Sequence, residues 1–162
     1  MRRWVLSKKD KKELIKRLKR LYGDRITLNE KDDVLEYFVE DNIEIILCNG
    51  TPALIILDED TIIPHLRLLL KEPQRFKLPK IIVDQGAVKP ISRGADLMRP
   101  GVVKIEGTFQ KGDIVLVCEP LKELPIAVHR ALYSYEEVIK MRKGRICECL
   151  HHIGDKYWRI LG

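Results

Sequence analysis

The sequence predicts an α+β chain: a small N-terminal α+β domain, built as a three-stranded meander with helices, followed by a small closed or nearly closed β-barrel. Three observations favour this architecture. One amphipathic helical segment is followed by three apolar segments separated by turn signals. Six short apolar segments then recur between Gly and Pro turns, as in small barrels. Because the pattern changes near residue 78, we expect two domains, 1–78 and 79–162.

The first predicted helix begins at Ser7, with Asp10 three residues later to complete its cap, and ends at Gly23. Its apolar face carries Leu14, Ile15, Leu18, Leu21 and Tyr22. Its opposite face carries Lys9, Lys12, Lys16, Lys19 and Arg20. A basic helix face is most often only solvated. If this one has a ligand, a nucleic acid is favoured over a membrane, because the apolar stripe has no aromatic belt beyond Tyr22.

The rest of the first domain is predicted from apolar segments and turns. Strands are expected at 34–40, 43–48 and 53–57. Asn49-Gly50 is a strong hairpin signal between the second and third of them. The acidic run 58–60 closes the last strand, and a solvated turn is favoured there over a magnesium site because consecutive carboxylates cannot all converge. Residues 63–70 are predicted to be helical, with Pro64 in the first turn.

The second domain is predicted to contain six strands and two short helices. The strands are expected at 80–84, 102–105, 114–118, 126–131, 146–151 and 157–161. A helical turn over 89–93 ends at Gly94, and Pro90 requires this turn to begin late, because proline is tolerated at the first helical position. A helix over 135–142 ends at Gly144.

Charge is unevenly distributed along the chain, whose net charge is +6. Residues 1–30 carry 11 Lys/Arg against 4 Asp/Glu, residues 31–63 carry 1 against 9, and residues 64–112 carry 10 against 4. The basic segments favour an anionic partner. The acidic segment 31–63 leaves a second interpretation open, in which the chain is an adaptor that docks a basic protein partner.

The cysteines indicate the compartment. Cys48, Cys118, Cys147 and Cys149 occur in a sequence without a secretory signal, which predicts free thiols in the cytoplasm. Cys147, Cys149 and His151 alternate along one predicted strand, and neighbours two apart lie about 6.5–7 Å from each other, which disfavours a shared metal ion.

Several function classes are not expected. The apolar runs are too short to span a bilayer, so no membrane partner is expected. The sequence contains no phosphate loop, dinucleotide fingerprint or serine elbow. We therefore expect neither an enzyme nor a cofactor.

Residues 83–101 are the most informative segment. They combine three glycines and two prolines with Lys89, Arg93 and Arg99. Small residues leave the backbone uncovered and basic residues stand beside it, which suits the close approach of a phosphate–sugar chain. A tight structural corner with incidental charge is the alternative, and the local chemistry leaves both open.

The same segment resembles the PUA domain, the RNA-binding module named after pseudouridine synthases and archaeosine transglycosylases. The residues that carry the resemblance are Asp84, Gly86, Ala87, Gly94, Ala95, Met98, Pro100 and Gly101. Later features follow in the family's order: Gly112-Asp113, Tyr135, Gly144, His151, Gly154-Asp155 and Trp158. The resemblance covers about residues 79–161 and implies a PUA-type β-barrel.

Residues 64–71, followed by Leu78-Pro79, resemble the segment before the PUA domain in the malignant T-cell-amplified protein and its yeast and archaeal relatives. In those proteins a small α+β domain precedes the PUA domain. The resemblance implies a translation protein that contacts rRNA or tRNA at the small ribosomal subunit during initiation or recycling, with a translation-factor protein as a further partner. A targeting subunit for a separate RNA-modifying enzyme is the alternative, because many PUA domains are appended to such enzymes.

The resemblance also implies the RNA-binding residues. They are Lys89, Arg93, Gly94, Ala95, Asp96, Leu97, Met98, Arg99, Pro100 and Gly101, with Arg130, Lys143 and Arg145 extending the basic surface. Gly94 is expected to adopt a positive φ, present its N–H to a phosphate and leave room for a ribose. Arg93 and Arg99 are expected to make forked contacts to phosphate oxygens.

The remaining predicted contacts have structural alternatives. Leu97 and Met98 either pack on an unstacked base or belong to the core. Asp96 either accepts a hydrogen bond from a ribose 2′-hydroxyl or caps the following turn, and the cap is favoured.

Overall fold

The computed structural model describes residues 1–161, whose main segments, Met1–Lys77 and Leu78–Ile160, form two compact units. The strands of the first unit are β1 (Arg2–Val5), β2 (Leu35–Glu40), β3 (Ile43–Cys48), β4 (Thr51–Asp58) and β5 (Thr61–Pro64). They form one antiparallel sheet in sequence order. The helices are α1 (Lys8–Tyr22), α2 (Leu66–Lys71) and a 3₁₀ turn, Pro73–Arg75.

Helix α1 has the limits that the sequence predicts. The Asp10 N–H donates to Ser7 Oγ at 3.1 Å, and Gly23, at φ +62°, donates its N–H to the Lys19 carbonyl at 2.8 Å. Leu14, Ile15, Leu18 and Tyr22 of the predicted apolar face are buried, and Leu21 is half-buried. The Tyr22 hydroxyl donates to the Ile62 carbonyl in β5. The helix is therefore fixed along its apolar face and at both ends.

The predicted three-stranded meander is too short at both of its edges. The prediction does not include strand β1, because its sequence, two arginines followed by Trp4 and Val5, does not alternate apolar and polar residues. All four residues of β1 are exposed. It pairs with β2, and the Trp4 and Tyr37 rings stack at a centroid distance of 5.2 Å.

Strand β5 was mistaken for the start of a helix. Pro64 pairs with Leu54 at the sheet edge, where a missing N–H removes no ladder hydrogen bond. The helix starts two residues later than Pro64, because His65 Nδ1 accepts a hydrogen bond from the Arg67 N–H at 3.1 Å and caps it.

A buried ion pair joins two loops of the first unit. The Arg75 guanidinium donates to both oxygens of Asp33, at 2.8 and 2.9 Å. The same carboxylate accepts from the Asn29 N–H at 2.6 Å and from Asn49 Nδ2 at 2.9 Å. Arg75, with these N–H donors, holds the pKa of Asp33 far below its usual value against the opposing effect of burial. Asp33 is therefore a charged group whose four hydrogen bonds replace water.

The second unit contains six strands in one mixed sheet. They are β6 (Lys80–Val83), β7 (Leu97–Met98), β8 (Val102–Glu106), β9 (Ile114–Cys118), β10 (Pro125–Ala131) and β11 (Arg145–His152). The order is β7-β11-β10-β9-β6-β8, with β6 and β9 parallel and the other neighbours antiparallel. The sheet curls around a core that includes Ile81, Val83, Leu97, Val117 and Ile146, as the predicted PUA-type barrel requires.

The helices of the second unit differ from the prediction in their limits. They are α3 (Gln85–Ser92), α4 (Tyr135–Lys140) and α5 (Lys156–Arg159), with a 3₁₀ turn at Arg99–Gly101. Helix α3 begins early, because Asp84 Oδ1 accepts from the Ala87 N–H at 3.0 Å. Pro90 therefore lies inside the helix rather than at its start, and the predicted late start is wrong.

The predicted strand over 157–161 is also wrong. Asp155 Oδ1 accepts from the Trp158 N–H at 2.9 Å and caps α5 there. The sixth strand is instead β7, whose two residues give too short a sequence signal to be found. Across residues 1–161 no helix has both the length and the apolar character needed to cross a membrane.

Candidate nucleic-acid interface

Helix α3 ends in a tight turn made by its own backbone. The N–H groups of Arg93 and Ala95 donate to the Pro90 carbonyl at 3.1 and 3.0 Å, and the Gly94 N–H donates to Ile91 at 3.1 Å. Gly94 has φ +100°, as the sequence predicts. The predicted exposed Gly94 N–H is wrong, however, because the turn that requires the positive φ also uses that N–H.

The missing side chain of Gly94 makes room for His152, not for a ribose. A Cβ at this position would lie 2.9 Å from His152 Nε2. His152 is held in place because its Nδ1 lies 3.0 Å from the Ser92 carbonyl oxygen and 2.8 Å from the Ile153 carbonyl oxygen. Since a carbonyl oxygen can only accept, Nδ1 carries the hydrogen and donates. At Gly94 the structural corner, which the sequence left open, is therefore the observed arrangement.

The exposed part of the predicted site lies around this turn. We call it the α3 surface. Its predicted members are the exposed residues Lys89, Arg93, Ala95, Met98 and Pro100, and the structure adds the exposed Pro90, which the prediction did not include. Lys89 and Arg93 are four residues apart and therefore share one side of the helix end. Neither has an ion pair within the described part of the chain. Two free cations thus border small, exposed residues.

Other predicted contacts are partly committed to the fold. Arg99 is half-buried, and its Nε donates to the Val138 carbonyl at 2.8 Å, so it cannot offer Nε to a phosphate. The Gly101 carbonyl accepts from the Asp84 N–H at 3.0 Å and anchors the start of α3. Leu97 is 1% exposed, so of its two predicted alternatives the core position is the one observed, and its side chain does not reach an RNA surface. Met98, next to it in β7, points outward and is 49% exposed.

Asp96 does not cap the following turn, contrary to the favoured prediction. Its Oδ2 accepts from Arg145 Nη1 at 2.9 Å, and its Oδ1 accepts from the Cys149 N–H at 2.8 Å, so the side chain joins the loop after α3 to β11. Desolvation opposes ionisation, but these two donors outweigh it and keep the pKa of Asp96 below its usual value.

The predicted basic extension is only partly free. Arg145 is paired with Asp96, and Arg130 Nη1 lies 3.5 Å from Glu148. Lys143 is exposed, as are Lys140 and Arg142, which the prediction omitted although the cation-rich run 140–145 was a visible signal. The Arg99 N–H donates to the Gly144 carbonyl at 2.8 Å, so this run lies against the turn that follows β7.

Several titratable side chains of the second unit are buried or partly buried and lie outside the α3 surface. Neither ring nitrogen of His129 has a hydrogen-bond partner among the residues that the structure describes, and burial lowers its pKa to about 4. Burial raises the pKa of Cys147 to about 12 and that of Cys149 to about 11. His151 Nδ1 lies 2.8 Å from Asp155. No group of three or more His, Cys, Asp or Glu side chains within residues 1–161 is arranged to hold a metal ion.

The acidic segment 31–63 is partly neutralised within its own unit. Asp33 is buried against Arg75, and Glu36 receives two hydrogen bonds from Arg3, at 2.8 and 3.2 Å. Asp60 lies 3.6 Å from Arg20. Fewer carboxylates are therefore left to attract a basic partner than the sequence count suggests.

The curled sheet, the capped α3 and the Gly94 turn define the second unit as a PUA domain. Residues 79–153 match the PUA domain family, and residues 2–72 match a domain of unknown function (DUF1947). The chain is 35% identical over 161 residues to an uncharacterized protein of Methanocaldococcus jannaschii, covering 99% of this chain and 98% of that protein.

Two eukaryotic relatives identify the family. Translation machinery-associated protein 20 of Saccharomyces cerevisiae is 30% identical over 145 residues, 80% of this chain and 79% of that protein. Malignant T-cell-amplified sequence 1 of Rattus norvegicus is 31% identical over 134 residues, 81% of this chain and 72% of that protein. The chain belongs to the family of these PUA-domain proteins, as its sequence resemblance predicts.

A solved structure has the same fold over nearly the whole chain. The crystal structure of a PUA domain from Aeropyrum pernix matches with a TM-score of 0.85 at 30% identity, covering 99% of this chain and 90% of that one.

Proposed function

We propose that this protein is a non-catalytic RNA-binding protein of translation, which contacts rRNA or tRNA at the small ribosomal subunit during initiation or recycling. The α3 surface, with Lys89 and Arg93 as its principal phosphate contacts, is the proposed binding site. Family membership supports a role in translation, because two yeast relatives are named translation machinery-associated protein 20 and match this chain over most of their length. A translation-factor protein is a further proposed partner.

The observation that carries the site is the pair of exposed, unpaired cations at the end of α3. Most other cations of the predicted set are tied down: Arg99 to the Val138 carbonyl, Arg145 to Asp96. Lys89 and Arg93 are exposed beside Ala95 and Pro90, whose small side chains let a backbone approach closely. Met98, nearly half exposed, offers an apolar contact to an unstacked base.

The test is RNA binding by a variant that reverses both charges, Lys89→Glu/Arg93→Glu. With a hairpin RNA that has a single-stranded end, we expect a loss of affinity of about tenfold or more. If both contacts are to single-stranded phosphates, the slope of log K against log salt should flatten by about 1.4. Fluorescence anisotropy at several salt concentrations measures both quantities.

The matched control is Lys122→Glu/Lys111→Glu, which makes the same change of charge at two exposed lysines outside the α3 surface. It should keep most of the affinity, because only the general field changes. Equal affinities and slopes for the α3 variant and the wild type would refute the site assignment.

A second candidate is a targeting subunit for an RNA-modifying enzyme on another chain. It is favoured by one observation: 88 residues of this chain are 42% identical to part of a probable tRNA pseudouridine synthase B of Pyrobaculum aerophilum, only 26% of that protein. Crosslinking in cells separates the two candidates. Reads on small-subunit rRNA and tRNA ends support translation, whereas reads at one modified RNA position support the enzyme partner.

A further inference from the structure

One face of α1 carries an unusually dense set of cations. At 100° per residue, its basic side chains fill one continuous arc of about 120° that contains no acidic residue. Its members are Lys8, Lys9, Lys12, Lys16, Lys19 and Arg20, all exposed, and we call this set the α1 cationic face. Glu13 lies about 20° beyond one edge of the arc, and Asp10 lies about 80° beyond the same edge. Within residues 1–161, Arg20 alone of the six has an ion pair, at 3.6 Å to the exposed Asp60.

This arrangement is unfavourable for the isolated helix. Lys8, Lys12, Lys16 and Arg20 follow one another at four-residue intervals, where like charges repel. Lys8 and Lys9 also lie in the first turn, where the helix dipole disfavours cations. Among the described residues the Arg20–Asp60 pair is the one ion pair that offsets part of this repulsion, so a bound polyanion would relieve the rest.

The face is also rigid. Leu14, Ile15, Leu18 and Tyr22 hold the opposite side of α1 in the core, and hydrogen bonds cap both ends. The cations from Lys8 to Arg20 therefore follow a straight line about 18 Å long. A straight row of charges matches the regular phosphates of a double helix better than a flexible single strand.

The composition of the α1 cationic face disfavours three other classes of partner: a membrane, a protein and a single strand of RNA. An interfacial membrane helix inserts an exposed apolar face, but the apolar face of α1 is buried. Stable protein interfaces are depleted in lysine and enriched in aromatic residues, whereas this arc contains five lysines and no aromatic ring. Single-stranded RNA is bound with aromatic stacking platforms, which the arc also lacks.

We propose that the α1 cationic face is a second RNA contact, which binds the phosphate backbone of double-helical RNA without reading its sequence. This inference rests on the proposed function and extends it to the first unit. The α3 surface would bind a single-stranded end, and the α1 cationic face would bind a duplex.

The experiment compares two RNA probes on the full chain: a blunt duplex of about 16 base pairs and a single-stranded oligonucleotide. The variant Lys12→Gln/Lys16→Gln/Lys19→Gln should lose about tenfold or more in affinity for the duplex. Its log–log salt slope for the duplex should flatten by about 2.7, for three contacts. Its affinity for the single strand should stay near that of the wild type.

Two controls separate this inference from the proposed function. The variant Lys31→Gln/Lys77→Gln/Lys111→Gln removes the same charge from exposed lysines outside the arc and should bind the duplex almost like the wild type. The variant Lys89→Glu/Arg93→Glu should lose the single strand and retain most of the duplex binding.

The outcomes are distinct. If the α1 variant binds the duplex like the wild type while the α3 variant loses the single strand, this inference is overturned and the proposed function stands. If the wild type binds neither probe at low salt, both fail. If the α1 variant loses binding to phosphatidylserine vesicles but not to the duplex, the face binds membranes and the inference is overturned.

Discussion

The α3 surface and the α1 cationic face present cations in opposite ways. Around α3 the backbone is fixed by a glycine turn, a histidine from β11 and an aspartate bridge, and the two cations of the helix end, Lys89 and Arg93, border it. On α1 the fold supplies only a straight helix whose apolar side is buried, and six cations cover the outer side. Shape dominates the first surface and charge dominates the second. The first is suited to selecting a local RNA conformation, and the second to raising affinity for any duplex.

The largest expected effect is on the stability of the first unit, which carries the α1 cationic face. Replacing Asp33 by Ala removes the acceptor of four hydrogen bonds and leaves the largely buried Arg75 with Glu72 as its remaining ionic partner, so the first unit should lose about 3–5 kcal/mol of stability. Urea denaturation followed by Trp4 fluorescence, in a Trp158→Phe background, reports this unit. The control Glu36→Ala removes a more exposed pair with Arg3 and should cost about 1 kcal/mol or less. Equal losses for the two variants would show that the buried pair does not hold the unit together.

As the pH falls, the second unit, which carries the α3 surface, should lose stability before the first unit does. Because burial lowers the pKa of His129 to about 4, the unfolded chain binds more protons than the folded one between about pH 6.5 and 4. The second unit should therefore lose up to about 3 kcal/mol as the pH falls through this range. The first unit should keep its Asp33–Arg75 contribution there, because an Asp carboxyl is ionised in both the folded and the unfolded chain above its ordinary pKa of about 4; the contribution is lost only at lower pH, as the unfolded chain takes up a proton that the lowered pKa of Asp33 denies to the folded one.

Stability measured against pH with Trp158 fluorescence, in a Trp4→Phe background, tests this difference. The variant His129→Leu, which fills the buried site with an apolar side chain that cannot titrate, should remove most of the pH dependence of the second unit's stability above pH 4. A wild-type second unit that stays equally stable from pH 7 to 4 would contradict the assignment.

A smaller effect is expected at the turn itself. Gly94→Ala places a Cβ 2.9 Å from His152 Nε2 and forces alanine to φ +100°, so the second unit should lose about 2 kcal/mol or more. The control is Gly112→Ala, at φ +91° with no atom within 4 Å of the new Cβ, which should cost about 1 kcal/mol. A His152→Ala change that fails to recover part of the difference would mean that the imidazole is not the obstacle.

The smallest effect should have the opposite sign. Lys12→Gln/Lys16→Gln/Lys19→Gln relieves repulsion along α1, so the first unit should gain about 0.2–0.5 kcal/mol for each repulsive pair removed. Thermal melting by Trp4 fluorescence measures the gain. A clear loss of stability would show that these lysines support the fold, and that the charge on α1 is not held at a cost.

The sequence predicts the elements whose ends are marked by residues close by in the chain, and it fails for those defined by contacts with distant residues. Helix α1 and the β3–β4 hairpin were predicted because Ser7, Gly23 and Asn49-Gly50 mark their ends locally. Strands β1 and β5 were missed or misread because an exposed or proline-ended edge strand is defined by its pairing, not by its own pattern.

The same limit applies to the candidate site. The positive φ of Gly94 was predictable, since a glycine that ends a helix commonly adopts it. The contact of Gly94 with His152, 58 positions away, and that of Asp96 with Cys149 were not, because nothing in the local sequence indicates a partner on β11. Exposure of Lys89 and Arg93 agrees with the prediction, whereas burial of Leu97 was one of two alternatives that only packing could decide.

The most direct measurement is a titration of isotope-labelled protein with an RNA that has a single-stranded end, followed by backbone amide NMR signals. We expect the largest shifts at Lys89, Arg93, Ala95 and Met98, with small shifts at the buried strand Lys80–Val83. Saturating shifts confined to residues outside 89–101 would contradict an RNA contact at the end of α3.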